Sequence, residues 1–142
     1  MKVVVDTAVL VRMNVKAAGP ARLVLERIAS GPHELILSPF LLQEVEQVLN
    51  YPRMQALYGL TPAEIREQIE EFVNVAQILD PVVREPVVLN DPDDDPIIYT
   101  AVDGHADILC TLDRHFYAPV VIEFCRNRGI SVMNDIDLLR SL

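Results

Sequence analysis

The chain has 142 residues, 51% of them hydrophobic and 23% charged, with a formal net charge of −9 at pH 7. That length and apolar content suit one globular domain spanning residues 1–142 and exclude a disordered tail. The acidity excludes binding nucleic acid through the overall field, so any such role needs a local basic rim, bound cations or a basic partner.

No apolar run approaches the ~20 residues a membrane helix needs, and Asp6 interrupts the N-terminus before a signal peptide can form. The expectation is a soluble, cytoplasmic protein with no membrane role. Cys110 and Cys125 are the only thiols. Both have apolar neighbours and read as buried free cysteines.

Val3-Val4-Val5 opens the chain as a strand buried on both faces, with Asp6 at its end. Gly19-Pro20 starts a helix through Leu23, Val24 and Ile28, and Gly31-Pro32 stops it. Glu34 to Leu37 is a second strand. Ser38-Pro39 then caps a helix carrying Leu41, Leu42, Val45, Val48 and Leu49, which ends near Tyr51-Pro52. Thr61-Pro62-Ala63-Glu64 is a capping box, followed by Ile65, Ile69, Phe72 and Val73 at helical spacing. Gln77 to Leu79 reads as a third strand, and Pro81 to Pro96 as irregular chain with an aspartate cluster. Helix resumes at Asp95-Pro96 and closes at Gly104. A fourth strand runs from Ala106 to Thr111, a helix from Val120 to Asn127 ends at Gly129, and Ile130 to Met133 is a fifth strand. Asn134 or Asp135 caps a last short helix. Strand and helix alternate without repeats, which implies an α/β domain with a mainly parallel sheet covered on both faces.

In such sheets, ligands gather at the carboxyl ends of the strands. Asp6 ends the first strand and Asp113 the fourth; Asp95 precedes the helix leading into the fourth, and Glu44 falls at the edge of its helix's apolar stripe. Taken singly, Asp95 serves as an N-cap, Glu44 as a solvated helix residue and Asp113 as a turn starter. Asp6 is different, because a charge ending a buried strand needs a partner. Taken together, these carboxylates without a nearby lysine or arginine would repel one another unless cations lay between them. All-oxygen ligation suits Mg²⁺ or Mn²⁺, and the absence of a Cys/His cluster argues against zinc.

The run Val3-Val4-Val5-Asp6-Thr7, the Leu37-Ser38-Pro39 segment followed by Glu44, the segment Asp91-Pro-Asp-Asp-Asp95-Pro-Ile-Ile and the ending Thr111-Leu-Asp113-Arg114 together resemble the PIN-domain family, which includes VapC-type ribonuclease toxins. The likeness covers nearly the whole length. It implies a three-layer α/β/α sandwich with a five-stranded sheet and divalent-metal-dependent cleavage of RNA, with Asp6, Glu44, Asp95 and Asp113 as metal-binding and catalytic acids. It also implies a small antitoxin-like partner and self-association as a dimer or tetramer. Leu57, Tyr58 and Leu60, in the turn of the helix pair between Pro39 and Ala76, are a candidate surface for that association. Arg12, Lys16, Arg53 and Arg114 are candidate contacts to the RNA backbone. Two positions depart from the family pattern. Ala8 stands where asparagine or serine is usual, and His115 and Phe116 stand where a further acid often follows, removing polar groups from near the metals.

Two rival classes share some of these features. A haloacid-dehalogenase-like phosphohydrolase also begins with a strand ending in aspartate, but wants a second aspartate where Ala8 stands; a receiver-type phosphoacceptor lacks its acidic pair here. A PIN-like domain with weakened catalysis, serving as a binding module, is the non-enzymatic alternative.

Overall fold

The computed structural model describes residues 1–142. Its strands are β1 (Lys2–Val5), β2 (Glu34–Leu37), β3 (Ala76–Ile78), β4 (Ile108–Cys110) and β5 (Ser131–Met133). They form one sheet in the order β3-β2-β1-β4-β5, every pairing parallel. β1 is central, and Val3, Val4 and Val5 have no solvent exposure. That burial on both faces is what three successive β-branched residues without a polar alternate require.

The helices are α1 (Thr7–Val11), α2 (Pro20–Ser30), α3 (Pro39–Leu49), α4 (Pro52–Tyr58), α5 (Pro62–Val75), α6 (Asp95–Asp103), α7 (Pro119–Arg126) and α8 (Asp135–Ser141). The chain steps outward from β1 through β2 to β3, then crosses back to β4 and β5. Right-handed crossovers therefore place the helices of the two halves on opposite faces of the sheet. Contacts agree: α3 packs against α1, α4 and α5, whereas α6 lies against β1, β2 and β4. Tyr99 of α6 meets Phe124 of α7 edge-to-face at 6.1 Å, tying together the second helical layer. α8 returns to pack on α2.

Helix starts follow local chemistry. The Ser38 side chain accepts from the Leu41 N–H at 3.3 Å, and both bonds of the Thr61–Glu64 capping box form, at 3.0 and 3.1 Å. The Asn134 side chain caps α8 by accepting from the Asp137 N–H at 2.8 Å. Two helices go beyond the sequence-based elements. α1 is one short turn capped by Asp6. α4 occupies what reads as a turn, because Pro52 opens a helix there as its first residue and Gly59, at φ 60°, closes it in the left-handed region. No helix is long and apolar enough to cross a membrane.

Candidate active site

β1 and β4 are neighbours, with Val5 opposite Cys110, and the direction of strand addition reverses between them. Their carboxyl ends are thus the switch point at which such sheets open a crevice. Asp6 emerges there at 3% exposure. Its Oδ1 accepts from the Val9 N–H at 3.0 Å, and its Oδ2 accepts from the Thr111 hydroxyl. Thr111 Oγ1 accepts in turn from the Asp113 N–H at 3.0 Å, while Asp113 Oδ1 accepts from the His115 N–H at 2.9 Å. The Tyr117 hydroxyl donates to the Thr111 carbonyl at 2.8 Å, holding this turn from below. One threonine thereby fixes the orientation of two acids.

Packing of α1 against α3 brings Glu44 over the same crevice. A pocket of about 220 Å³ is lined there by the carboxylates Asp6, Glu44, Asp94 and Asp113, with Thr7, Ala8 and Phe116 beside them. Asp6, Glu44 and Asp113 converge as the strand-end argument expects. Asp95 does not line that pocket; it borders the adjoining groove with Glu44 and Asp94. Its Oδ1 accepts from the N–H groups of Val87 and Val88, at 3.1 and 2.8 Å, and the residue is 4% exposed. That carboxylate fastens the irregular 81–91 segment to the start of α6. Asp94 is the member of the run that faces the pocket, because the Pro92–Asp94 turn of 3-10 helix rotates it inward. Asp95 thus lies beside the pocket that Asp94 lines.

The assembled acids disturb one another. Burial, opposed by the Thr111 and Val9 bonds and reinforced by Asp113 and Glu44, raises the Asp6 pKa to about 6. Burial followed by repulsion from Asp91, Asp113 and Glu44 raises Asp94 to about 7. Glu44 is also raised, by burial first, with repulsion from Asp91 and Asp93 added. No lysine or arginine lines the pocket.

Buried polar atoms without a hydrogen-bond partner collect at the same place: Asp94 Oδ2, Thr7 Oγ1 and His115 Nδ1. One ligating atom from each of Asp91, Asp94, Asp113 and His115 lies within 4.8 Å of the others. Unpaired buried oxygens in a pocket of like charges are the arrangement a hard divalent cation relieves. His115 thus returns a polar group to the site that its departure from the family pattern takes away, its Nδ1 lying 3.6 Å from Asp113 Oδ1. Sequence reasoning missed Asp91, Asp94 and the bridging role of Thr111; for Thr111 the signal was its place two residues before Asp113.

The basic candidates lie elsewhere. Lys16 is paired with Glu64 at 3.3 Å and donates to the Gly59 carbonyl at 3.0 Å. With Arg12 it lines a separate cavity beside α8. Arg53 on α4 and Arg114, next to Asp113, are exposed. Cys110 and Cys125 are buried and free. Burial pushes both thiols up, Cys125 to about 11, so neither is a poised nucleophile.

A family model described as a PIN domain matches residues 2–115. Among solved structures, the chain is similar to that of VapBC2 from Rickettsia felis bound to a DNA fragment from their promoter. The TM-score is 0.57 and the identity 15%, over 94% of this chain and 98% of that one; at that identity the likeness speaks to the fold alone. No curated protein matches.

Proposed function

The chain belongs to the PIN-domain family, a family of nucleases, and on that premise we propose that it hydrolyses RNA phosphodiester bonds with the help of a divalent cation. Asp6, Asp94 and Asp113 would hold the ion, with Asp91 and His115 within reach and Glu44 at the rim. The observation carrying this reading is the convergence of those carboxylates on one pocket with no basic side chain to neutralise them. Such an ion supplies charge neutralisation at the phosphate and makes water more acidic.

The chain's own groups do the positioning. Thr111 and the Val9 amide lock the Asp6 carboxylate in one orientation. The Thr111–Asp113 bond holds the second strand-end acid against it. Glu44, whose proton affinity is raised, orients the attacking water and takes its proton. Phe116 and Ile97 form the dry wall of the pocket. Mn²⁺ and Mg²⁺ both suit the oxygen ligands, and the His115 imidazole favours Mn²⁺. Unpaired RNA is the substrate that reaches such a crevice. Arg114, by its place next to Asp113, is the first of the basic candidates to meet the backbone; Arg12, Lys16 and Arg53 would act farther along the strand.

We also propose a toxin-like role, with a small basic partner silencing the acidic crevice, and self-association as a dimer or tetramer in the cytoplasm. Support for the partner comes from the net charge of −9 and from the fold shared with VapBC2. The deciding assay is cleavage of a labelled single-stranded RNA by EDTA-stripped protein, with and without Mn²⁺. Cleavage that returns with the ion and disappears in Asp113→Asn supports the nuclease; intact RNA under both conditions leaves a binding module instead.

A further inference from the structure

A second depression adjoins the acids, a groove of about 670 Å³ running from Glu44 and Asp94 along α3 to Tyr51. Phe40, Glu44 and Gln47 recur along α3 at intervals that put them on one side of it, and Tyr51, the residue before α4, closes the far end of the groove. The exposed Val83, from the 81–91 segment, faces them. Gln43 and Gln47 are exposed in this groove, and neither side-chain amide is engaged by another group of the chain, unlike those of Asn50 and Gln55 beside them. Tyr51 is 54% exposed, a large aromatic face left open to solvent.

The lining chemistry restricts what enters. Glu44, Asp91, Asp93, Asp94 and Asp95 border the groove and no lysine or arginine does. A phosphate backbone is repelled from such a surface. An uncharged planar group is not: it stacks on the tyrosine ring and bonds to amides that both donate and accept. Carboxylates only accept, so they suit a base edge that presents an amino group.

We infer that this groove is a nucleobase subsite, in which Tyr51 stacks on an unpaired base next to the scissile phosphate while Gln43 and Gln47 read its edge. Bases carrying an exocyclic amine (adenine, cytosine, guanine) are favoured over uracil. The inference rests on the nuclease reading for the position of the phosphate, but its binding test does not depend on cleavage.

Fluorescein-labelled oligo(A) and oligo(U) octamers are titrated against the full chain by anisotropy, with Ca²⁺ in place of Mn²⁺ so that binding is read apart from hydrolysis. The wild type is expected to prefer oligo(A). Tyr51→Ala weakens oligo(A) about tenfold or more, Tyr51→Phe restores it, and the pair Gln43→Ala/Gln47→Ala weakens both octamers while the preference for oligo(A), set by the carboxylates, remains. All three positions are exposed, and each variant retains the wild-type response of its melting temperature to Mn²⁺. Equal binding by wild type and Tyr51→Ala, a preference for oligo(U), or no binding by the wild type overturns the subsite. Cleavage separates the two readings. Tyr51-dependent binding without Mn²⁺-dependent cleavage removes the nuclease and keeps the subsite. Cleavage with KM and base preference untouched by Tyr51→Ala does the reverse.

Discussion

Replacing Asp6 by asparagine should stabilise the metal-free protein. Asp6 is 3% exposed, and its pKa rises from 3.8 to about 6, chiefly through burial. Between those values the folded state binds more protons than the unfolded one, so stability falls as pH rises through the window and the penalty is complete above the folded pKa. At 1.36 kcal/mol per tenfold in proton affinity, the carboxylate costs on the order of 3 kcal/mol near pH 8 and under about 1 near pH 4. Asparagine keeps an oxygen for the Val9 N–H, and its amide nitrogen takes the Thr111 side with the bond reversed, donating to the hydroxyl oxygen. At about 3 °C per kcal/mol for a domain of this size, Asp6→Asn melts up to about 9 °C higher than wild type near pH 8, and the gap closes toward pH 4. Differential scanning calorimetry in EDTA across that range measures it. Adding Mn²⁺ then raises the wild-type melting temperature and leaves the variant unmoved. A lower melting temperature for Asp6→Asn near pH 8, or a gap indifferent to pH, would refute the claim that this carboxylate is held at a cost.

Asp94 and Asp95 should separate cleanly despite being adjacent. Asp95→Ala leaves the buried Val87 and Val88 amides without their acceptor, costing about 2–4 kcal/mol in a denaturant melt while the response to Mn²⁺ persists; Asp94→Ala abolishes that response without a comparable loss. Thr111→Val removes the hydroxyl joining Asp6 to the Asp113 amide, and Mn²⁺ affinity by calorimetry should drop about 10–100-fold with the fold retained. Thr61→Ala breaks the α5 capping box far from the acids, lowering stability by about 1 kcal/mol and leaving Mn²⁺ affinity and RNA cleavage as in wild type.

The sheet was legible because its strands announce themselves. Val3 to Val5 and Leu35 to Leu37 are apolar on both faces, and Pro or Gly marks most helix boundaries. Asp6 and Asp113 could be placed at one crevice for the same reason, since a carboxylate directly after a buried strand has one place to go in a parallel sheet. Glu44 followed from helical phase. The aspartate run defeated both arguments. Its residues change direction through a turn of 3-10 helix rather than a regular period, and Asp95 before Pro96 looks like the helix cap. What decides between Asp94 and Asp95 is a bond from Asp95 to amides seven and eight residues earlier, in a segment with no periodicity. α1 was hidden by its length of 5 residues, too short to display a repeat. α4 was hidden because Pro52 reads equally as the end of one helix or the start of another.

Anomalous diffraction from crystals soaked in Mn²⁺ bears most directly on the proposed cation pocket at the β1/β4 switch point. The expected result is a peak between Asp6, Asp94 and Asp113, within ligating distance of their carboxylates and absent from Asp94→Ala crystals. No peak there at an Mn²⁺ concentration that supports RNA cleavage, or a peak at the Asp95 carboxylate instead, contradicts it.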